Sequence, residues 1–296
     1  LKGLESLVQQ EHAKAYGIIN GIDTEVWNPE TDAFLDFNFG KKNALEGKWK
    51  NKKELCEEYG LNPDLPLFSF IGRFAGEKGA DLLPEIVWKS IQQTYGALNI
   101  MILGSGEKHV EHQLSELSYS YSNFALDLGY KEYLSHKIYA SSDFLLMPSR
   151  VEPCGLNQMY AMRYGTVPVV RYTGGLRDTV EDISTGGSGI NFGSATAEDA
   201  VHAEGARPGD ALRGQHLARL RAQQRMVGAD AQAFVLVRAG GGIGDGVAVA
   251  GRTAVDGLVM HALPEHARAV AQVEVADHAH RMPQLVLQQR GDLRQI

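Results

Sequence analysis

The chain has 296 residues, 44% of them apolar, and carries a formal net charge of −7. That apolar share is ample for a packed core, and the acidic balance argues against a general nucleic-acid binder while leaving room for local basic sites. Cys56 and Cys154 stand far apart and fit no metal-ligand spacing, which points to a reduced cytoplasmic setting and to no structural metal. No signal peptide and no apolar run long enough to span a bilayer is visible. The chain opens on Leu1-Lys2-Gly3 without a methionine, as expected of a piece of something longer.

After a short helical pattern, Gly17-Ile18-Ile19-Asn20-Gly21-Ile22-Asp23 reads as a strand running into a tight Asn-Gly turn, and Trp27–Asp32 reads as a loop. Residues 41–60 are rich in Lys and Glu and end in Glu54–Gly60, a surface helix with a glycine stop. From Leu67 the pattern becomes regular. Strand Leu67–Gly72 leads to Arg73, helix Gly79–Tyr95 follows, and strand Asn99–Leu103 ends in Gly104-Ser105-Gly106. A helix over about 108–118 precedes strand Asn123–Leu128 and Gly129-Tyr130. Helix Leu134–Ser141, strand Phe144–Met147, helix Leu156–Tyr164 and strand Val167–Arg171 come next. Thr173–Thr179 follows, then a helical turn, strand Gly189–Phe192 and a helix from about Ala195. Strands alternating with amphipathic helices predict an α/β fold: a Rossmann-like, doubly wound parallel sheet with helices on both faces.

The composition breaks near Ala203. From Glu204 to Ile296 there is no Lys, Asn, Ser, Tyr, Trp or Cys, and Ala, Arg, Gly, Val, Gln and His dominate. The earlier residues and these draw on AT-rich and GC-rich codons respectively. Residues 1–203 are therefore expected to form one domain. Residues 204–296 are expected to be a frameshifted or chimeric segment with no assignable domain, the alternative being a genuine, strongly biased tail.

Ligands of open α/β sheets bind beyond the carboxyl ends of the strands, and the loops there hold the candidate residues. Val151-Glu152-Pro153-Cys154-Gly155-Leu156-Asn157-Gln158 places a carboxylate, a thiol and a glycine between a strand and a helix start, whose N–H groups suit a phosphate. In Gly72-Arg73-Phe74-Ala75-Gly76-Glu77-Lys78-Gly79 an arginine at a strand end and a lysine at a helix start can reach one diphosphate, or can be two exposed surface cations. Gly104-Ser105-Gly106 lacks the third glycine of a dinucleotide fingerprint and reads as a turn. Tyr130 either stacks on a base or packs under a loop, and Thr173-Gly174-Gly175 offers backbone N–H groups or merely turns. Gly240–Gly246 mimics a nucleotide loop without the required glycine spacing, and His278 with His280 lacks a third organised ligand.

Taken in order, Gly17–Asp23 with Trp27–Asp32, Gly72–Gly79, Gly129-Tyr130, Pro148–Gln158 and Thr173–Val180 resemble the bacterial glycogen and starch synthases. The resemblance covers about residues 1–203. It implies the second, nucleotide-sugar-binding domain of a two-domain GT-B retaining glucosyltransferase. The first domain, with its Lys-x-Gly-Gly-Leu motif and much of the acceptor site, would be missing, as would the final helix that returns to it. On this resemblance Arg73 and Lys78 neutralise the leaving diphosphate of ADP-glucose, and Glu152 hydrogen-bonds the glucose hydroxyls. Cys154, Gly155, Leu156 and Asn157 would present backbone N–H groups to the sugar and distal phosphate, with Gly174 and Gly175 nearby, and Tyr130 would stack on adenine. The implied partners are the donor, an α-1,4-glucan acceptor and the missing domain, with no cofactor, metal, nucleic acid or membrane. Asn157 stands where the bacterial enzymes often have threonine. Tyr160 stands where the wider retaining glycosyltransferases have a second glutamate, and so favours the synthases. Another nucleotide-sugar transferase of this architecture and a non-catalytic nucleotide-binding remnant remain alternatives; a dehydrogenase is disfavoured by the absent glycine fingerprint.

Overall fold

The computed structural model describes residues 5–10 and 19–204 and four short strands beyond them. The chain divides into two compact units, one of Ile22–Ala231 and one of Leu1–Gly21 with Gln232–Ile296. In the second of these, α1 spans Glu5–Gln10.

The Ile22–Ala231 unit opens with a loop and then α2 (Ala44–Glu58), β1 (Leu67–Phe74), α3 (Leu83–Gln93), β2 (Asn99–Gly106) and α4 (Lys108–Ser120). It continues with β3 (Phe124–Leu128), α5 (Glu132–Ser141), β4 (Phe144–Met147), α6 (Asn157–Arg163), β5 (Val167–Arg171), α7 (Gly174–Thr179), β6 (Ile190–Phe192) and α8 (Ala197–Glu204). The six strands form one sheet in the order β3-β2-β1-β4-β5-β6, and every pairing is parallel. This is the doubly wound arrangement expected from the sequence.

Side chains alternate across the sheet, and both faces are buried, so the central strands read as continuous apolar runs. Phe68, Phe70, Ile100, Ile102, Phe144 and Leu146 pack on one face against Leu83, Ile86 and Val87 of α3. Leu67, Met101 and Leu103 pack on the other against Leu55 and Cys56 of α2 and Leu134 and Ile138 of α5. Burial raises the Cys56 thiol to about 11, which keeps it a neutral packing group.

Four expectations are corrected. Residues 19–23 form no strand, while Gly17 and Ile18 lie outside the described residues. The Asp23 carboxylate accepts the N–H groups of Glu25 (2.9 Å) and Val26 (3.1 Å), so a side chain folds the backbone into a turn there. The predicted helix Gly79–Tyr95 opens instead as a 3-10 turn, Ala80–Leu82, preceded by another at Gly76–Lys78, and α3 begins only at Leu83 with Pro84 in its first turn. Gly104-Ser105-Gly106 is strand, not turn, because β1 and β2 stay paired to Phe74↔Gly106; a Cβ on Gly104 would lie 2.0 Å from the Gly72 carbonyl oxygen.

The fourth correction is α2, which is longer than the predicted surface helix and is fixed by buried lysines. Lys48 Nζ donates to the carbonyls of Tyr139, Ala140 and Tyr164 (3.0–3.2 Å) and to Thr166 Oγ1 (2.8 Å). It caps the ends of α5 and α6, where orphan carbonyls and the negative dipole end favour a cation. Lys52 Nζ reaches the Leu65 carbonyl and Asp143 Oδ2 (2.7 Å). Asp143 Oδ2 also accepts the Leu67 N–H at 2.9 Å, tying the start of β4 to the start of β1.

In the other unit, β7 (Val235–Ala239) pairs antiparallel with β8 (Gly246–Ala250), and β9 (Gln272–Val275) with β10 (Leu285–Gln288). The glycine-rich stretch before Gly246, and His278 and His280, lie outside the described residues. Among the described residues no helix is long and apolar enough to cross a membrane.

Candidate active site

The strand order reverses between β1 and β4, which makes the carboxyl ends of these neighbours the place for a ligand crevice. They share only the register pairs Phe68↔Phe144 and Ser69↔Leu145, whereas β1 pairs with β2 from Leu67 to Phe74. Above Ser69 the β4 side of β1 is met instead by a side chain: Asn157 Nδ2 donates to the Ile71 carbonyl at 2.7 Å. The loop after β1 carries Lys78 and the loop after β4 carries Glu152.

These two loops are built against each other. The N–H groups of Arg150 and Val151 donate to the Glu77 carbonyl (2.9 and 3.1 Å). The Arg150 guanidinium donates to the Gly76 carbonyl at 3.0 Å and forms a two-point pair with the Asp81 carboxylate, its Nη2 arm 2.8 Å long. Gly79 has φ +67°, and a Cβ there would lie 2.2 Å from the Pro148 carbonyl oxygen, so glycine alone permits the approach. Across the gap Lys78 Nζ meets Glu152 Oε2 at 2.6 Å. Glu152 is 5% exposed, and Ser149 Oγ donates to the same oxygen at 3.3 Å.

Arg73 belongs to β1 itself, opposite Ser105. Its guanidinium pairs with Glu77 Oε1 at 3.0 Å and is 74% exposed. The two basic residues singled out in the sequence thus stand at the end of β1 and in the turn that follows it, each with its own carboxylate.

Gly174 and Gly175 open α7 and are close-packed beneath Glu152. The Gly175 N–H donates to the Glu152 carbonyl at 2.8 Å. Cβ atoms on Gly174 and Gly175 would lie 2.1 Å and 2.3 Å from the carbonyl oxygens of Glu152 and Cys154. The expectation that Gly175 offers its N–H to a ligand is therefore corrected, because that donor holds the Glu152 loop. Cys154, Gly155 and Leu156 are organised by Gln158, fully buried, whose Nε2 donates to the carbonyls of Cys154 (3.1 Å) and Gly155 (3.0 Å) and to Thr179 Oγ1 (3.0 Å). No peptide here is cis. In a trans peptide the N–H opposes the C=O, so the N–H groups of Gly155 and Leu156 point away from Gln158.

Tyr130, after β3, is 85% exposed, which removes the reading that it packs under a loop. It stands near Tyr160 of α6, whose hydroxyl is raised to about 12 by burial first and then by Tyr130, Asp23 and Glu132. Tyr160 stacks on Trp27 at 3.8 Å, and Trp27 stacks on His136 at 3.8 Å. Behind them Asp32 Oδ2 contacts His136 Nδ1 (2.6 Å) and accepts from Tyr164 Oη (2.5 Å). Burial pushes the Asp32 carboxyl up, but hydrogen bonds from His136, Tyr164 and the Phe34 N–H hold it below the usual carboxylate range.

Sequence reasoning missed Ser149, Gln158, Arg150 and Arg171. Arg171 Nη1 donates to the carbonyls of Ser149 (3.2 Å) and Arg150 (3.0 Å). Such polar residues follow no period; only their place beside Glu152 or at a strand end marked them.

The fold and the crevice define a Rossmann-type α/β domain with a charged site at its topological switch point. The family described as Glycosyl transferases group 1 matches residues 51–203, and the chain belongs to that family. It is 53% identical over 198 residues to the glycogen synthase of Flavobacterium johnsoniae, a match covering 67% of this chain and 42% of that protein. It is 44% identical over 214 residues to starch synthase 2, chloroplastic/amyloplastic, of Arabidopsis thaliana, covering 69% of this chain and 26% of that one. A solved structure, the catalytic domain of starch synthase IV from Arabidopsis thaliana bound to ADP and acarbose, superposes with a TM-score of 0.68 at 33% identity, covering 77% of this chain and 48% of that one. The chain spans less than half the length of each of these proteins.

Proposed function

We propose that residues 1–203 supply the donor-binding half of a glycogen or starch synthase, which transfers glucose from ADP-glucose to the end of an α-1,4-glucan with retention of configuration. The observation that carries this reading is the 2.6 Å contact of Lys78 with Glu152, which brings the two most distinctive motifs together at the switch point. The likeness to a starch synthase structure that holds ADP supports the choice of nucleotide.

In this reading the bond between glucose C1 and the diphosphate oxygen breaks, and its electron pair leaves with the diphosphate. An acceptor hydroxyl oxygen bonds to C1 from the same side and passes its proton toward the departing phosphate. Arg73 and Lys78 stabilise the charge that develops. Glu152, buried and held by Lys78 and Ser149, positions the glucose hydroxyls rather than acting as a base. Gly155 and Leu156 turn N–H groups toward the phosphate, and Tyr130 gives adenine a face to stack on. The mechanism asks for no metal or cofactor.

The test is calorimetric titration of the 296-residue chain with ADP and ADP-glucose, alongside incorporation of labelled glucose into glycogen. Binding of both nucleotides without elongation is expected, because half a cleft cannot close over the donor or place the acceptor. Failure to bind either nucleotide overturns the proposal, and elongation by this chain alone overturns the need for a second domain.

A further inference from the structure

Both cations proposed for the diphosphate are already paired, but in very different surroundings. Arg73, at the end of β1, and Glu77, in the turn after it, sit four residues apart with side chains 74% and 46% exposed. Such a pair contributes little, and water readily replaces either partner. Lys78 and Glu152 are 29% and 6% exposed and 2.6 Å apart. Taking Lys78 away leaves a buried carboxylate with the Ser149 hydroxyl, at 3.3 Å, on the oxygen that the lysine had held. Breaking a buried pair by removing one partner is costly because the other charge stays uncompensated.

Resting on the donor-binding reading, we propose that Glu152 is the resident counter-ion of Lys78. It would make the site discriminate between a nucleoside diphosphate and its glucosyl ester. A diphosphate alone draws Lys78 off Glu152 and gives the carboxylate nothing in return. The glucosyl ester draws Lys78 off and at the same time brings hydroxyl donors to Glu152, so one set of partners is exchanged for another. The free nucleoside diphosphate, the product of the proposed transfer, is held less firmly than the charges of Lys78 and Arg73 imply. As it leaves, Lys78 returns to Glu152.

The experiment titrates ADP and ADP-glucose into the 296-residue chain and into Glu152→Gln, Ser149→Ala and Glu77→Gln, with circular dichroism to confirm folding. Glu152→Gln removes the charge competing for Lys78, and ADP is expected to bind about tenfold more tightly, the equivalent of one buried charge-assisted contact. ADP-glucose gains less or weakens, since the hydroxyl acceptor is impaired, so the ratio of the two affinities shifts toward ADP. Ser149→Ala removes a donor from the abandoned carboxylate, and ADP is expected to weaken about two- to fivefold. Glu77→Gln, which disturbs an exposed pair, changes ADP affinity by no more than about twofold. If the unaltered chain binds both ligands but Glu152→Gln leaves ADP affinity unchanged or lower, the counter-ion role is overturned and the donor-binding reading stands. If Glu77→Gln tightens ADP as much as Glu152→Gln does, general charge removal is the cause and the role is likewise overturned. If Glu152→Gln does not fold, Ser149→Ala decides, and unchanged or tighter ADP binding overturns the role. If the unaltered chain binds neither ligand, the donor-binding reading falls and this inference with it.

Discussion

An ammonium and a carboxylate 2.6 Å apart beyond the carboxyl ends of two strands at a topological switch point are most valuable where charge changes during a reaction. In a full-length enzyme of the proposed kind, Lys78→Gln and Arg73→Ala should each lower turnover about 10²–10³-fold with little change in affinity for the nucleobase, the loss typical of one preorganised electrostatic donor. Tyr130→Ala should do the reverse, weakening the donor while sparing the rate at saturation, because stacking is present before and during reaction. Steady-state kinetics with ADP-glucose distinguishes the two, and near-normal turnover of the Lys78 and Arg73 variants returns them to surface cations. Asp32 makes a different demand. Its folded carboxyl lies below the ordinary value, so its contribution to stability is present above the unfolded value near pH 4 and is lost as pH falls through the folded one. Asp32→Asn should cost about 1.5–3 kcal/mol near neutrality, the worth of buried hydrogen bonds to a charged group. The gap in Tm between variant and parent should narrow as pH falls below about 4; a gap that stays constant as the pH is lowered contradicts the assignment. Residues such as Glu152, Lys78 and Tyr130 were legible because they stand where a strand ends. Their pairing was not, since Lys78 and Glu152 are 74 positions apart.

At the scale of elements, strands were read most faithfully where both faces are buried, as in Phe144–Met147, whose four residues are all inside. Boundaries moved where a neighbour strand carried the pairing further, as β2 does for Arg73 and Phe74. α2 was mistaken for a surface helix for a physical reason: its buried face includes Lys48, Asn51 and Lys52 as well as Leu55 and Cys56, so the apolar period that marks a core helix is interrupted. Lys48→Met keeps the length of the side chain but abandons three carbonyls and a hydroxyl. Orphaned buried acceptors cost about 1–3 kcal/mol each in isolation, and some relax toward water, so a loss of about 3 kcal/mol in urea unfolding is expected. Loss below about 0.5 kcal/mol, the scatter of ordinary surface changes, would show that the lysine caps nothing.

For the whole molecule, the sheet, its helices and both site loops lie between Ile22 and Glu204. A chain ended after Glu204 should therefore keep the ADP affinity and the Tm of the 296-residue chain; a fall of tenfold in affinity, about 1.4 kcal/mol, would assign the later residues a part in the site. Sequencing the transcript through codon 203 tests the change of frame inferred from composition, and one continuous frame in one genome refutes it. The alternation of strands and helices announced the architecture, and five motifs in order announced the family. What composition could not convey is how the motifs meet, because that depends on a strand order that places β1 beside β4.

The parting of β1 from β4 above Ser69 has an evolutionary consequence. Where strands are zipped together, their spacing is set by the backbone and no single codon alters it. At the parting, the Ile71 carbonyl is claimed by the Asn157 side chain, and a side chain is heritable one codon at a time. A lineage can therefore widen or narrow the opening between the two strands by changing the side chain at position 157, while the sheet that carries it goes on folding as before.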